Sequence, residues 1–304
     1  MNQNLVLNTR LVTSAGLFLS RIPPRPGYSL ARLIGLYLAG RKSNPAVRAV
    51  RANQWVIHGE RGSIRELDGW VRENYASTAR SLYEFWHFHP DDEAVRRMVT
   101  VDPSFTAAVE RARQAGSGLI LVVPHLSNFD LIGRAVVLKG TPLHVLSYPQ
   151  PGGGYQAINA LREIPGLKVT PLAVESLRQA SETLRAGGTV LTGVDRPLAG
   201  AGAETKYAVR FFGRPACLPV FHIRLALKHN LPITVVGGRR NADGGYTVWA
   251  SQPIPMVRRT GLAEEIVENA EAVLAVLAEV IRQVPEEWAM SYPVWPEAFD
   301  QTPG

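Results

Sequence analysis

A single cysteine, Cys217, stands in a chain of 304 residues. One thiol makes neither an internal disulfide nor a cysteine-based zinc cluster, so a disulfide-stapled secreted scaffold is excluded. The seven histidines include no H-E-x-x-H pair, so no metal site is readable and none is expected. Charged residues are sparse, 19% against 46% hydrophobic, which rules out a disordered polyelectrolyte and leaves enough apolar material for a core. The 27 glycines and 22 prolines follow no triplet period, so collagen-like and low-complexity readings fail. No internal repeat is visible.

Acids are nearly missing from the first fifth of the chain. Residues 1–62 carry nine basic residues and one acid, Glu60, a balance of +8, whereas the remaining 242 residues carry 24 basic and 25 acidic ones, or −1. Such a block suits either nucleic acid or an anionic membrane, and its surroundings must decide. The segments LVLNTRLVTSAGLFLS (5–20) and YSLARLIGLYLAG (28–40) are apolar with single arginines inside them. IPPRPG (22–27) interrupts them with prolines. The longest uncharged run here, Leu11–Ser20, has ten residues, against the roughly 20 needed to span a bilayer. Two interfacial amphipathic helices with arginines at headgroup level are therefore expected, and nucleic acid is not. Each basic residue beside an anionic leaflet contributes about 1 kcal/mol. The alternative is that these are core helices packed under the rest of the protein. No small-x-small cleavage site follows the apolar run, so a signal peptide is not expected. The division read from the sequence is a membrane-associating segment at 1–45 and one domain at 46–304.

Residues 64–89 have apolar positions at near-helical spacing, and their aromatics read as core. From residue 104 the pattern alternates. Helices are expected at 105–116, 128–140, 155–166 and 174–188. Short apolar strands are expected at 118–124, 142–148, 167–172 and 189–194. A helix around 218–229, strands at 231–238 and 246–252, and a long apolar-faced helix at about 261–284 follow. This order implies an α/β fold with a central, mostly parallel sheet and helices on both faces.

The segment VVPHLSNFDLIG (122–133) carries the chemistry. His125 falls in a strand-to-helix turn and Asp130 in the first turn of the helix, where α/β sheets bind ligands. A histidine with an ordinary pKa of about 6.5 is a natural general base. A carboxylate on its other ring nitrogen fixes the tautomer, and such assistance is typically worth about 10²–10⁴-fold. The spacing leaves a second reading open. Ser127-x-x-Asp130 also fits a capping box, which would give Asp130 a purely local role. Ser127 has no G-x-S-x-G elbow around it to mark a nucleophile.

PHLSNFD after an apolar strand resembles the H-x-x-x-x-(D/E) signature of the bacterial membrane acyltransferases. That family includes the lipid A lauroyl/myristoyl acyltransferases and the phosphatidylinositol mannoside acyltransferases. RENYASTARSLYEFW (72–86) is similar to its N-Y-A-R…D/E-F-W helix, and Arg162 in ALREIPG to an arginine after the catalytic helix. DRPL (195–198) is similar to its D-R/D-Q block, RFFGRPACLPV (210–220) to F-F-G-x-P, and PEEWAMSYPVWP (285–296) to P-E-x-W. The resemblance covers roughly residues 30–296. Aspartate at the fifth place after His125, and DR at 195–196, look more like the mannoside branch.

The resemblance implies a glycerolipid-acyltransferase-like fold and an acyl transfer with no covalent acyl-enzyme. His125 would be the base and Asp130 would orient it. Arg162, Asp195 and Arg196 would border the substrate crevice. The mannoside branch has a glutamate just before F-F-G, where this chain has Ala208, so Glu204 is the nearest candidate. No cofactor is implied beyond a co-substrate thioester, acyl-CoA or acyl carrier protein. The acceptor would be a membrane glycolipid, and the location peripheral at the cytoplasmic face of the inner membrane. A lipid hydrolase using Ser127 or water, and a non-catalytic lipid-binding protein, are the competing readings.

Overall fold

Short apolar runs become strands, and the amphipathic stretches between them become helices, in the computed structural model, which describes residues 9–149, 153–197 and 207–303. Among the described residues the sheet has seven strands. In chain order they are β1 (Val99–Val101), β2 (Leu119–Val123), β3 (Leu143–Ser147), β4 (Leu167–Pro171), β5 (Thr189–Gly193), β8 (Ile233–Arg240) and β9 (Tyr246–Ala250). Their spatial order is β1-β9-β8-β2-β5-β3-β4. All neighbours run parallel except β8 and β9. That pair is a hairpin, and a short connection can join only antiparallel strands. A small separate hairpin joins β6 (Val209–Phe211) to β7 (Arg214–Ala216).

The sheet separates two core layers. In β2, Ile120 and Val122 point to one face and Leu119 and Leu121 to the other, as the period of two requires. The first layer is filled from α9 (Val174–Arg185), α10 (Phe221–His229) and α11 (Leu262–Gln283). The second is filled from α5 (Asp92–Met98), α6 (Pro103–Gln114) and α7 (Phe129–Leu138). Because β2 is covered on both faces, LILVV carries no polar alternation.

The N-terminal helices are α1 (Thr9–Ser20), α2 (Pro24–Ala39), α3 (Pro45–Ile57) and α4 (Ile64–Phe88). α2 buries Gly27, Ala31, Gly35 and Ala39, one residue every turn, against α4. A Cβ at Gly35 would lie 2.6 Å from the Tyr75 carbonyl oxygen, so this seam depends on the missing side chain. Three large apolar residues of α2 face away: Leu33, Ile34 and Tyr37 are 65%, 42% and 60% exposed, and Leu17 and Phe18 of α1 are exposed as well. Among the described residues, no helix is long and apolar enough to cross a membrane.

Several elements went unread in the sequence: α3, α5, β1 and the β6–β7 hairpin. The helix expected from 218 begins at Phe221, after Pro219.

Candidate active site

Strands β2 and β5 lie side by side in parallel, with Leu119 opposite Thr189 and Val123 opposite Gly193. Continuing that register two residues past the strand ends puts His125 beside Asp195. The contact follows: Nδ1 of His125 is 2.7 Å from one oxygen of Asp195, and the His125 backbone N–H donates to the other at 2.8 Å. The Trp288 indole N–H donates to that second oxygen at 2.7 Å. Asp195 is fully buried. Burial alone would raise its pKa, but the His125 charge and the donated hydrogen bonds outweigh burial and hold the carboxyl below its ordinary value. With Nδ1 donating to a carboxylate, Nε2 is left as the basic nitrogen. Gly193 makes room for the ring, since a Cβ there would lie 2.8 Å from Cε1 of His125.

The acid on the imidazole is thus Asp195, and the expected His125–Asp130 pairing is corrected. Asp130 is engaged elsewhere: both of its oxygens meet Arg162, at 2.6 and 3.2 Å. Lying inside the helix, it points to α8 (Gly153–Arg162), whereas Asp195 arrives on the adjacent strand end. The capping-box reading also fails. The helix is capped by Asn128, whose side chain accepts from the Leu131 N–H. Ser127 is buried, with its Oγ held between the Gly238 carbonyl, at 2.8 Å, and the Glu287 carboxylate. Its φ of 56° lies in the left-handed region, where a non-glycine residue needs support from its surroundings.

That support comes from the PEEW segment. The Ser127 N–H donates to the Glu287 carbonyl at 3.0 Å, and the Ala289 N–H donates to the His125 carbonyl at 2.8 Å. Leu126 and Trp288 form an antiparallel bridge between them. The YEFW motif braces the turn from below. Glu84, fully buried, takes the Asn128 amide at 3.3 Å, Arg80 at 2.9 Å and the Tyr246 hydroxyl. Burial and the Glu84 charge push the Tyr246 phenol upward. Glu84, Glu287 and Trp288 sit in motifs legible in the sequence, but nothing in their spacing named their partners.

Arg196 lies between two rings, 3.9 Å from the Tyr148 centroid and 3.8 Å from that of Tyr292. Arg162 and Arg196 both border a cavity of about 160 Å³ that opens beside His125. From the turn it runs along α7 and the sheet, past Ile132, Val136 and Val169 of the second core layer to Leu143 and Leu167, and Leu126, Leu146 and Phe221 of the first layer line it as well. Its wall is apolar apart from the groups at the mouth. Glu204 lies outside the described residues. Among the described residues, no group of three or more His, Cys, Asp or Glu could hold a metal ion.

Chemically, the site pairs an oriented imidazole with an apolar slot. The chain is 28% identical over 191 residues to the phosphatidylinositol mannoside acyltransferase of Mycobacterium tuberculosis (strain ATCC 25618 / H37Rv), covering 62% of this chain and 57% of that protein. It is 24% identical over 232 residues to the enzyme of the same name in Mycolicibacterium smegmatis (strain ATCC 700084 / mc(2)155), covering 75% and 73%. The chain therefore spans little more than half the length of the Mycobacterium tuberculosis relative it matches. The family model described as bacterial lipid A biosynthesis acyltransferase matches residues 6–296, nearly the whole chain, and the protein belongs to that family.

Proposed function

We propose that the protein is a membrane-associated O-acyltransferase that moves a fatty acyl chain from a thioester to a hydroxyl of a membrane glycolipid. The observation that carries this reading is the 2.7 Å contact between His125 and buried Asp195 at the mouth of an apolar slot. In the step proposed, Nε2 of His125 takes the acceptor's hydroxyl proton as the oxygen attacks the thioester carbonyl. The carbon–sulfur bond then breaks, and the departing thiolate takes the proton back from the imidazolium. Asp195 stabilises that imidazolium and holds the tautomer. Asp130 holds Arg162 in the cavity wall rather than touching the base. The family and the names of the two relatives support a glycolipid acceptor of the phosphatidylinositol mannoside or lipid A kind. Acyl-CoA and acyl carrier protein both fit the donor role.

The deciding measurement is thioester consumption with and without a glycolipid acceptor. Wild type should transfer the chain, and a folded His125→Ala protein should lose about 10²–10⁴-fold of that rate. Transfer retained by His125→Ala would remove the base. Acyl release that ignores the acceptor would point to hydrolysis instead.

The attachment we propose is peripheral and at the cytoplasmic membrane face; the exposed apolar residues of α1 and α2 support its peripheral character. Arg21 and Arg25 stand exposed among them. Part of the basic charge is already matched within the protein: Arg32 meets Glu73 at 3.2 Å and Lys42 meets Asp68 at 2.9 Å. Apolar insertion therefore carries more of the binding than the net charge suggests. Replacing Leu33 and Tyr37 together by serine should weaken co-sedimentation with phosphatidylglycerol vesicles on the order of 100-fold. Raised salt should weaken it further. Binding that responds to neither change contradicts the attachment.

A further inference from the structure

We propose that Gly133 sets the length of hydrocarbon chain the slot accepts. Gly133 lies on α7 and lines the cavity with Phe129, Ile132 and Val136. Those positions share one helix face, because residues three and four apart stack along an α-helix. A Cβ built on Gly133 meets no atom within 4 Å. At Gly27 and Gly35, by contrast, a Cβ would lie 2.2 Å from the Tyr83 ring and 2.6 Å from the Tyr75 carbonyl. Those glycines are needed for close packing, and Gly133 is not. Glycine is also a poor helix former, so its position on the slot wall keeps a passage open.

The opposite wall gives the direction. The cavity is lined from Ser147, where β3 ends, back to Leu143, where it begins. Four strand steps of ~3.3 Å make that wall about 13 Å long. Gly133 stands one turn into the helix from His125's turn, and Val136 stands three residues further. That separation is about 4.5 Å of helix rise, on the order of three or four methylene groups. A side chain grown from Gly133 therefore blocks the slot nearer the reacting end than one enlarged at Val136.

The inference rests on the acyl-transfer reading only for the identity of the chain, so its test reads binding and transfer separately. The probes are S-alkyl pantetheine thioethers from hexyl to hexadecyl, titrated calorimetrically into the full chain. Gly133→Leu should bind short alkyl groups as wild type does and lose on the order of 100-fold for hexadecyl, the loss of several buried methylenes. Val136→Phe should set its limit at an intermediate length, and Gly133→Ala should give a smaller step should leucine disturb folding, which circular dichroism reports. An unchanged length profile in folded Gly133→Leu overturns the inference. So does an equal weakening at every length, or wild type that binds no alkyl probe. Shifted binding without thioester turnover by wild type keeps the chain-length role and removes acyl transfer. Turnover with the wild-type chain profile in Gly133→Leu does the reverse.

Discussion

Asn in place of Asp195 should leave the fold intact and lower acyl transfer by about 10³–10⁴-fold, chiefly in kcat. Size is preserved, so the effect comes from hydrogen-bond direction. One oxygen of Asp195 already accepts from two donors, the His125 backbone N–H and the Trp288 indole. An asparagine must keep its carbonyl on those donors, which turns its amide N–H toward Nδ1 of His125. The ring is then driven to carry its proton on Nε2, the wrong tautomer for a base. The same substitution at Asp130 should cost far less, because Asp130 pairs with Arg162. Rates on the two variants, with folding checked by circular dichroism, decide between them. A fully active Asp195→Asn protein would end the proposed role. The carboxyl is also held below its ordinary value of about 3.9. Its ionisation therefore contributes stability that is fully present above that value and is lost as pH falls through the lower folded-state pKa.

Trp288→Ala should destabilise the protein by about 3–5 kcal/mol. The indole is 1% exposed and sits among Phe211, Phe212 and Trp295, with centroids 6.2 to 6.4 Å away. Truncation leaves a cavity and also removes a donor from a buried carboxylate, a bond worth about 1.5–3 kcal/mol. Trp288→Phe separates the two effects. It keeps most of the ring volume and removes only the N–H, so stability should fall less while kcat drops about tenfold with KM little changed. The midpoint of urea unfolding, with its slope, reports the first effect and steady-state kinetics the second. A wild-type midpoint in Trp288→Ala would show that the aromatic cluster does not brace the turn.

The α/β alternation from residue 104 was legible because each strand is a short run of Leu, Ile and Val between helices stopped by glycine or proline. The position of His125 past a strand end was legible for the same reason. Its partner was not. Asp195 lies 70 residues away in sequence, and only the pairing of β2 with β5 brings it alongside; nothing local encodes that register. The nearer Asp130 matched a short spacing and drew the assignment. β1, β6 and β7 have three residues each, too few to show a period of two. The arginines and leucines of α2 mark an amphipathic helix, but they do not show how it packs. Its actual contact face is a row of small residues, which hydropathy scarcely registers.

The two core layers meet the catalytic turn from opposite sides of the sheet. Trp288 belongs to the first layer, and Ile132, Val136, Leu143, Leu167 and Val169 along the slot belong to the second, although Leu126, Leu146 and Phe221 of the first layer line it too. Substitutions at the second-layer positions therefore reshape the slot without touching Trp288 or the bonds it makes to the catalytic turn.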